Sequence, residues 1–361
     1  MRRAVAALLL LSLLAAGVVS ARDGEPVTKT AEVAPVSATT TVEVTTSTST
    51  STSTTTTSTS TSTAVAPGPA ATAPSTTPPA PAPQGPPEPA GDLPKVLVTP
   101  AGVVVPVVGR EGAAFRVETP CGRRAVVTGG TPVSGATVVL DAGHGGVEPG
   151  AVSPGGLAEK TVNLAVVNHA RDALERAGKP TVLTRTADYR LPLAARARVV
   201  MALRPRALVS VHHNAEPDGS RSGPGSETYY QVASPESRRL AGLIYEEVVK
   251  ALSAYDLAWV ADTDAGTKYR RNTDGDDYYG ILRRTQGVPA ALAELAFVSN
   301  PAEADLVVRP DVQKVEGEAV ARGILRFLDT ADPGSGFVEP YPRTSPAGGG
   351  GSSSGCVDPP L

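Results

Sequence analysis

The chain has 361 residues and a formal net charge of −3, with 33 Lys and Arg residues against 36 Asp and Glu residues. This balance, together with the lack of a long basic run, excludes the charge pattern of a nucleic-acid-binding protein. The chain has only two cysteines and four histidines, so a histidine in an unusual place is a candidate for chemistry.

The first 94 residues predict export and a stalk rather than a folded domain. Residues 1–21 have two arginines, a Leu- and Ala-rich core and small residues at the end, which is typical of a signal peptide cleaved after Ala21. An uncleaved anchor is the alternative, although the apolar run is short for a membrane span. Residues 22–94 carry a Thr/Ser tract and then a Pro/Ala tract, which cannot bury enough apolar surface to offset the entropy of ordering. We expect a disordered, solvated stalk that is a candidate for O-glycosylation.

Two short regions flank the main domain. Residues 95–133 are rich in Val, are interrupted by Gly and Pro and lack a helical period, which predicts a small β appendage. Residues 333–361 form a Gly/Ser-rich tail that contains Cys356. Because Cys121 and Cys356 lie at opposite ends of the folded part of an exported chain, they predict one disulfide. Two free thiols are the alternative.

Strands alternate with helices in residues 134–332, which predicts a single domain. In chain order the segments are the strand ATVVLDAG, the helix AEKTVNLAVVNHARDALERAG, the strand KPTVLTRTA, the helix LPLAARARVVMALRP, the strands ALVSVHHNA and GSETYYQV, the helix PESRRLAGLIYEEVVKALSA, the strand VPAALAELAFVSN and the helix VEGEAVARGILRFLD. We expect GSETYYQV at an edge of the sheet and an irregular segment at 255–284. The fold class is therefore α/β, with a twisted, mixed and largely parallel sheet, helices on both faces and functional groups at the carboxyl ends of the strands.

Two histidines lie where predicted strands end. His144 follows VVLDAG and His212 follows ALVSV, so both belong to the same edge of the sheet. Neutral imidazole is the commonest protein ligand of zinc, and this pair predicts a metal site. Strand alternation points His213 to the opposite face, and His169 lies on a helix, where a polar surface role is more common.

A third ligand and a proton acceptor are expected, because a catalytic zinc site usually has three protein ligands and one open position. Glu148, in the glycine-rich loop at residues 143–150 (the glycine loop), and Glu159, at the start of a helix, are both candidates. Glu159 is equally explained as an acid stabilised by the helix dipole. Glu294 lies among apolar residues in PAALAELAFVS, where burial would raise its pKa towards that of a general base. A buried ion pair is the alternative for Glu294. The motifs H-E-x-x-H, G-x-S-x-G and G-x-x-x-x-G-K-[ST] are absent, so these residues predict metal-assisted hydrolysis without naming a substrate.

Six ordered motifs carry a resemblance to a known family. They are VVLDAGHGGVEPGA, GLAEKTVNLAVV, VLTRTADYRLPLAARA, VSVHHNA, ETYY and YYGILRRTQGVPAALAELAFVSNPAEADLV. Over about Thr137 to Asp329 the chain resembles the zinc-dependent N-acetylmuramoyl-L-alanine amidases of the amidase-3 type. The resemblance implies hydrolysis of the amide bond between N-acetylmuramic acid and L-alanine, in peptidoglycan or muropeptides.

The same resemblance assigns roles to residues. It implies three ligands for one Zn²⁺ ion: His144, Glu159 and His212. It therefore favours Glu159 over Glu148, and it implies that Glu294 is the general base and acid that acts on a zinc-activated water. We also expect Asn214 and Arg283 to bind substrate.

Departures and rival functions remain. The family usually has a small residue in place of His213, so that side chain either lines the groove or has no role. No long insertion follows ETYY that could form an inhibitory helix. With the stalk and the cysteine pair, the chain resembles an exported actinobacterial-type enzyme, and we expect a monomer at the cell wall with no stable membrane span after removal of the signal peptide. The rivals are a zinc peptidase that cuts within the stem peptide and a non-catalytic wall-binding protein.

Overall fold

The structure is a computed structural model, and it describes residues 92–215, 225–257, 266–334 and 355–361. The predicted signal peptide and all but the end of the predicted stalk lie outside these residues. The division of the chain into stalk, appendage and catalytic domain therefore stays a prediction. Within the part that the structure describes, no helix has the length and apolar character needed to span a membrane.

A five-stranded antiparallel sheet precedes the main domain. Its strands are β1 (Val96–Val98), β2 (Val104–Glu111), β3 (Ala114–Glu118), β4 (Arg124–Val127) and β5 (Thr131–Val133). They lie in the order β4-β3-β2-β1-β5. Alternate apolar side chains form one buried cluster, which includes Leu97, Val103, Val105, Phe115, Val117 and Val127. The expected β structure of this region is present.

The C-terminal residues lie against this small sheet. Cys121 and Cys356 form a disulfide across 235 residues, which confirms the predicted pairing. Asp358 accepts a hydrogen bond from the backbone N–H of Cys121 at 2.7 Å and pairs with Arg123 at 2.7 Å. Leu361 packs against the apolar cluster of the sheet. Residues 355–361 thus contact the sheet through a covalent bond, an ion pair and an apolar side chain.

A six-stranded mixed sheet forms the centre of the main domain. The order is β10-β9-β11-β8-β6-β7. The strands are β6 (Val138–Ala142), β7 (Thr181–Leu183), β8 (Ala207–Asn214), β9 (Glu227–Tyr230), β10 (Gly266–Lys268) and β11 (Ala290–Phe297). Strands β7, β6, β8 and β11 are parallel, β9 is antiparallel to β11, and β10 is parallel to β9. The predicted mixed, largely parallel sheet is confirmed.

Helices cover both faces of this sheet, as expected. They are α1 (Glu159–Arg176), α2 (Leu193–Leu203), α3 (Pro235–Leu252), α4 (Gly280–Arg284), α5 (Pro301–Val307) and α6 (Pro310–Asp329). Helices α1, α3 and α6 bury their apolar stripes on one face, and α2 and α4 pack on the other. Helix α5 was not predicted. The closing helix α6 begins at Pro310 rather than at the predicted Val315, and proline is favoured at the first position of a helix.

Two expectations about the second half of the sheet are wrong. Strand β9 is not an edge strand, because β10 pairs with it along its outer side. The segment 255–284, expected to be irregular, supplies both β10 and α4. Besides its backbone pairing, β10 is joined to β9 by a buried ion pair at 2.6 Å between Lys268 and Glu227, a tertiary contact that no local pattern reveals.

Candidate metal centre

Three predicted ligands meet at the carboxyl edge of the sheet. His144 follows β6, His212 lies near the end of β8, and Glu159 is the first residue of α1. Their donor atoms all lie within 4.8 Å of one another. The two oxygens of Glu159 face the two rings: Oε2 is 3.1 Å from His144 Nε2 and Oε1 is 2.9 Å from His212 Nδ1. Among the described residues this is the only such group of three His, Cys, Asp or Glu donors.

The charges and protonation of these donors fit a divalent metal ion. Glu159 is only 4% exposed, and its ion-pair partners within the described residues are the two imidazoles rather than a Lys or Arg. Burial raises the pKa of Glu159, but the hydrogen bonds and charges of His144 and His212 outweigh it and hold the pKa well below its usual range. Burial also lowers the pKa of His212. One carboxylate and two imidazoles are a common donor set for Zn²⁺.

Three polar groups hold Glu159 in place. Its Oε2 accepts a hydrogen bond from the backbone N–H of Ala151 at 2.8 Å. Its Oε1 accepts from Asn163 Nδ2 at 3.1 Å and from the backbone N–H of His213 at 3.1 Å. These bonds orient the carboxylate toward the histidines, which is the task of groups just outside a metal site. Sequence reasoning missed Asn163, although its spacing of four residues from Glu159 on a helix places both on one face.

Glycines give the histidines and Glu159 room to approach one another. A Cβ added at Gly143 would overlap the ring of His212, and one added at Gly150 would overlap Oε2 of Glu159. Gly150 also has a φ of +72°, in the region that L side chains rarely adopt. The glycine loop is therefore required by the close packing of the ligands as well as by its own turns.

Glu294 lies on the strand next to His212. Strand β11 pairs with β8 so that Glu294 is opposite His212, and it pairs with β9 so that Glu294 is also opposite Glu227. Glu294 is 8% exposed, and its Oε2 is a buried atom with no hydrogen-bond partner. Burial raises its pKa well above the usual value, and the charges of Glu159 and Glu227 raise it further. Among the described residues, the charges that act on Glu294 are those of Glu159 and Glu227, and no Lys, Arg or His forms an ion pair with it.

The two predicted substrate-binding residues lie in different places. Asn214 is the last residue of β8, and its Nδ2 donates to Glu227 Oε2 at 3.2 Å. Glu227 also accepts from Lys268 Nζ at 2.6 Å and from Tyr229 Oη at 2.8 Å. Arg283 donates to the carbonyl of Tyr278 at 2.9 Å, and it lines a cavity that contains none of the metal donors. The structure therefore brings Asn214, but not Arg283, to the carboxyl edge of the sheet where the donors lie.

The remaining acid and histidine candidates are engaged elsewhere. Glu148 pairs with Arg190 at 2.8 Å and is outside the metal group. His213 is 1% exposed on the opposite face, and its Nδ1 donates to Asn163 Oδ1 at 2.8 Å. The expectation that His213 lines the groove is wrong, because the side chain is buried. Its backbone N–H donates to Glu159 and its ring donates to Asn163.

An open cavity of about 340 Å³ lies beside the two histidines. Its lining is Asp141, Gly143, His144, Glu148, Leu191, Pro192, Leu193, Arg196, His212, Tyr278, Tyr279, Gly280, Ile281 and Leu292. Most of this wall is apolar, and a few polar groups converge at the histidines. That combination is typical of a site for a small organic group next to a reactive centre.

Residues 138–326 match the family model Amidase_3, described as N-acetylmuramoyl-L-alanine amidase. The chain is 34% identical over 212 residues to the uncharacterized protein YqiI of Bacillus subtilis, which covers 58% of this chain and 91% of that protein. It is 31% identical over 218 residues to the germination-specific N-acetylmuramoyl-L-alanine amidase of Bacillus subtilis, with 56% and 84% covered.

Among solved structures, the catalytic domain of CwlV, an N-acetylmuramoyl-L-alanine amidase from Bacillus (Paenibacillus) polymyxa, is 30% identical. The match covers 54% of this chain and 98% of that one, with a TM-score of 0.46. The assignment rests on the sequence matches, since the family model spans just over half of the chain and the two relatives are matched over most of their length. The chain belongs to the Amidase_3 family of N-acetylmuramoyl-L-alanine amidases.

Proposed function

We propose that this protein is a zinc-dependent amidase that cleaves the bond between the lactyl carbonyl of N-acetylmuramic acid and the amine of L-alanine in peptidoglycan. The observation that carries the proposal is the convergence of His144, Glu159 and His212, next to a buried carboxyl group on the neighbouring strand. The family and the named relatives support the same reaction.

The proposed ligands for Zn²⁺ are the two imidazoles and Glu159, whose contacts keep it ionised. When bound, Zn²⁺ would supply Lewis-acid chemistry, lowering the pKa of a water molecule and stabilising negative charge on the carbonyl oxygen. Glu159 contributes the one negative charge among these ligands, and Ala151 N–H and Asn163 keep it aimed at the histidines.

Glu294 is the proposed proton acceptor and donor. Its unpartnered Oε2 is available to accept a proton from the attacking water. Its raised pKa brings it closer to the pH of the reaction, which favours transfer in both directions. Glu294 then returns the proton to the leaving amine of L-alanine, and the stem peptide separates from the glycan.

The chain is proposed to act outside the cytoplasm, at the cell wall. The Cys121–Cys356 disulfide fits an oxidising compartment. The predicted signal peptide and stalk, although outside the described residues, point to the same place. The role of Asn214 and Arg283 in substrate binding, the domain division and the monomeric state remain proposals.

Product analysis separates the proposed reaction from its rivals. The purified full chain is incubated with muropeptides, and the products are identified by mass spectrometry. An amidase frees the amino group of L-alanine and leaves muramic acid intact, whereas a stem-peptide peptidase leaves L-alanine attached. A wall-binding protein without activity would release neither product, although all four proposed catalytic residues are present.

Substitutions test the roles of the ligands and of the base. His144→Ala and His212→Ala are expected to lose most bound zinc, as measured by metal analysis, and nearly all turnover. Glu294→Gln keeps size and hydrogen bonding but cannot accept a proton, so it should retain zinc while turnover falls about 10²-fold or more. Glu159→Gln should weaken zinc binding, and added zinc should restore part of its activity.

A matched control is available in Glu148→Gln, because Glu148 lies in the same loop but pairs with Arg190. We expect this variant to keep its zinc. Full zinc content in both histidine variants would overturn the ligand assignment. Rescue of Glu294→Gln by zinc, or full metal affinity without activity in Glu159→Gln, would show that the two glutamates have been given the wrong roles.

A further inference from the structure

His144 has an unusual backbone conformation. Its φ is +60°, and only one other non-glycine residue among the described ones, Arg204, has a positive φ. A side chain in this left-handed region carries a steric penalty, because Cβ crowds the neighbouring carbonyl oxygen. The conformation persists only where the surroundings enforce it, and such residues cluster at functional sites.

Two buried arginines donate hydrogen bonds to the carbonyl groups at and just before His144. Arg196 donates to the carbonyl oxygen of His144 at 2.6 Å and to that of Ala142 at 2.5 Å. Arg185 donates to the carbonyl oxygens of Ala142 and Gly143, each at 3.0 Å. The carbonyl groups of three consecutive residues, from Ala142 to His144, therefore accept hydrogen bonds from guanidinium groups.

Arg196 is itself held from the side of the sheet. It is 2% exposed, and its Nη1 lies 2.7 Å from Oδ1 of Asp141 on β6. Asp141 also accepts hydrogen bonds from Ser210 at 2.7 Å and from Thr184. Burial raises the pKa of Asp141, but the charge of Arg196 and these hydrogen bonds bring it down to about 2, so the pair is ionised at neutral pH.

The contacts of Arg196 require the planar guanidinium group, whose nitrogens donate in several directions. Nε of Arg196 donates to the carbonyl of Leu191 at 2.8 Å, while its two terminal nitrogens reach Asp141, Ala142 and His144. A lysine would keep the charge but offers a single ammonium group on a flexible stem, which cannot satisfy acceptors in four directions. The conservative substitution therefore removes the geometry and keeps the charge.

We propose that Arg196 is a positioning residue for the metal: it holds the carbonyl of His144 and so keeps His144 in the left-handed conformation that places Nε2 3.1 Å from Glu159. This inference rests on the proposed function, in which His144 is a metal ligand. Neither the sequence patterns nor the family resemblance assigned a role to Arg196. A side chain that only stabilised the core would affect folding without changing metal affinity.

The test compares two arginines of the same helix. Arg196→Lys is the variant, and Arg198→Lys is the matched control, because Arg198 lies two residues further along α2 and contacts Glu118 and the carbonyls of Thr119 and Pro120. Zinc affinity of the full chain is measured by competition with a chelator, and the visible absorption of the Co²⁺-substituted protein reports the ligand geometry. Circular dichroism and thermal unfolding of the metal-free proteins report folding.

We expect Arg196→Lys to fold and to bind Zn²⁺ about 10-fold or more weakly, with an altered Co²⁺ spectrum. Arg198→Lys should stay within about twofold of the unchanged protein, because its contacts lie away from the metal donors. A folded Arg196→Lys protein with unchanged zinc affinity and Co²⁺ spectrum would overturn the proposal. An equal loss of zinc affinity in Arg198→Lys would also overturn it.

Two further proteins complete the test. If Arg196→Lys does not fold, Ser210→Ala removes one hydrogen bond from Asp141 and should give a smaller loss of zinc affinity. Unchanged zinc affinity in that variant would then refute the positioning role.

The unchanged protein and His144→Ala test the proposed function separately. If the unchanged protein binds zinc and His144→Ala does not, the proposed function is supported, whatever the Arg196 variant does. If the unchanged protein binds no zinc, the proposed function fails and this inference fails with it.

Discussion

A buried glutamate behind the site gives a pH-dependent stability that can be measured. Glu303, on α5, is 2% exposed, and its Oε2 accepts a hydrogen bond from the backbone N–H of Phe297 at 2.7 Å. Burial raises the pKa of Glu303 to about 7; the Phe297 N–H and the charge of His213 lower it, and the charge of Glu316 raises it. At pH 5 the carboxyl group is therefore protonated in the folded protein.

The direction of the effect follows from proton linkage. The pKa of Glu303 is about 7 in the folded protein and 4.5 without the fold, so the folded state binds the proton more tightly. The stability of the folded state that depends on protonated Glu303 is fully present below pH 4.5, and it is lost as the pH rises from 4.5 to about 7. At about 1.4 kcal/mol for each pKa unit, the free energy of unfolding that is lost over this whole range is at most about 3.5 kcal/mol.

Glu303→Gln should remove this loss. Glutamine has the same size and its oxygen can accept the hydrogen bond of Phe297 N–H, but it does not ionise. The difference in the free energy of unfolding between the variant and the unchanged protein should therefore change with pH. It should be about 2 to 3 kcal/mol more in favour of the variant at pH 8 than at pH 5. Urea unfolding of both proteins at both pH values, in saturating zinc, measures the difference.

The control for this comparison is Glu236→Gln, a substitution of an exposed glutamate in the first turn of α3. It should change the free energy of unfolding by less than about 0.5 kcal/mol at either pH. If the difference between Glu303→Gln and the unchanged protein is the same at pH 5 and pH 8, the assignment of a raised pKa to Glu303 is wrong.

Two further predictions concern the disulfide and the glycine loop. Cys356→Ser removes a disulfide that spans 235 residues. The free energy of unfolding, measured with urea, should fall by up to about 5 kcal/mol, as the chain-entropy model predicts. Two free thiols in the unchanged protein, denatured without a reductant, would contradict this prediction. Gly145→Ala would overlap the carbonyl oxygen of Tyr189 at a φ of +135° and should reduce turnover about 10²-fold by displacing the loop. Gly155→Ala, whose added Cβ comes no closer than 3.7 Å to the Ser153 hydroxyl, should leave turnover unchanged, and equal rates in the two glycine variants would refute the packing argument.

The elements that were predicted correctly have local signals. The spacing of Leu240, Leu243, Ile244, Val248 and Leu252 predicted the buried stripe of α3, and all five side chains are buried. The β-branched run before His144 predicted β6, and the carboxyl-edge rule placed His144 and His212 together. In each case a period of 3.6 or 2 residues, or a strand end, was enough to locate the side chain.

The features that were missed depend on contacts between distant segments. Strand β10 has the sequence Gly-Thr-Lys, which shows no apolar alternation, and it joins the sheet through Lys268 and Glu227. His213 was assigned correctly to the opposite face, but its partners Asn163 and Glu316 come from α1 and α6, 50 and 103 residues away. No local period reports such partners.

The position of Glu294 depends on how the apolar side chains of β11 are packed on the two faces of the sheet. On β11, Ala291, Ala293 and Leu295 pack with the helices α1, α3 and α6, whereas Leu292 packs with the α2 and α4 side. Glu294 shares the face of Leu292 because side chains alternate along a strand. A slip of one residue would turn the three apolar side chains toward the face of α2 and α4 and bury the carboxyl group among the helices α1, α3 and α6. The hydrophobic core therefore fixes the register that sets Glu294 opposite His212, one of the candidate metal ligands. In this register the Oε2 atom of Glu294 is buried without a hydrogen-bond partner.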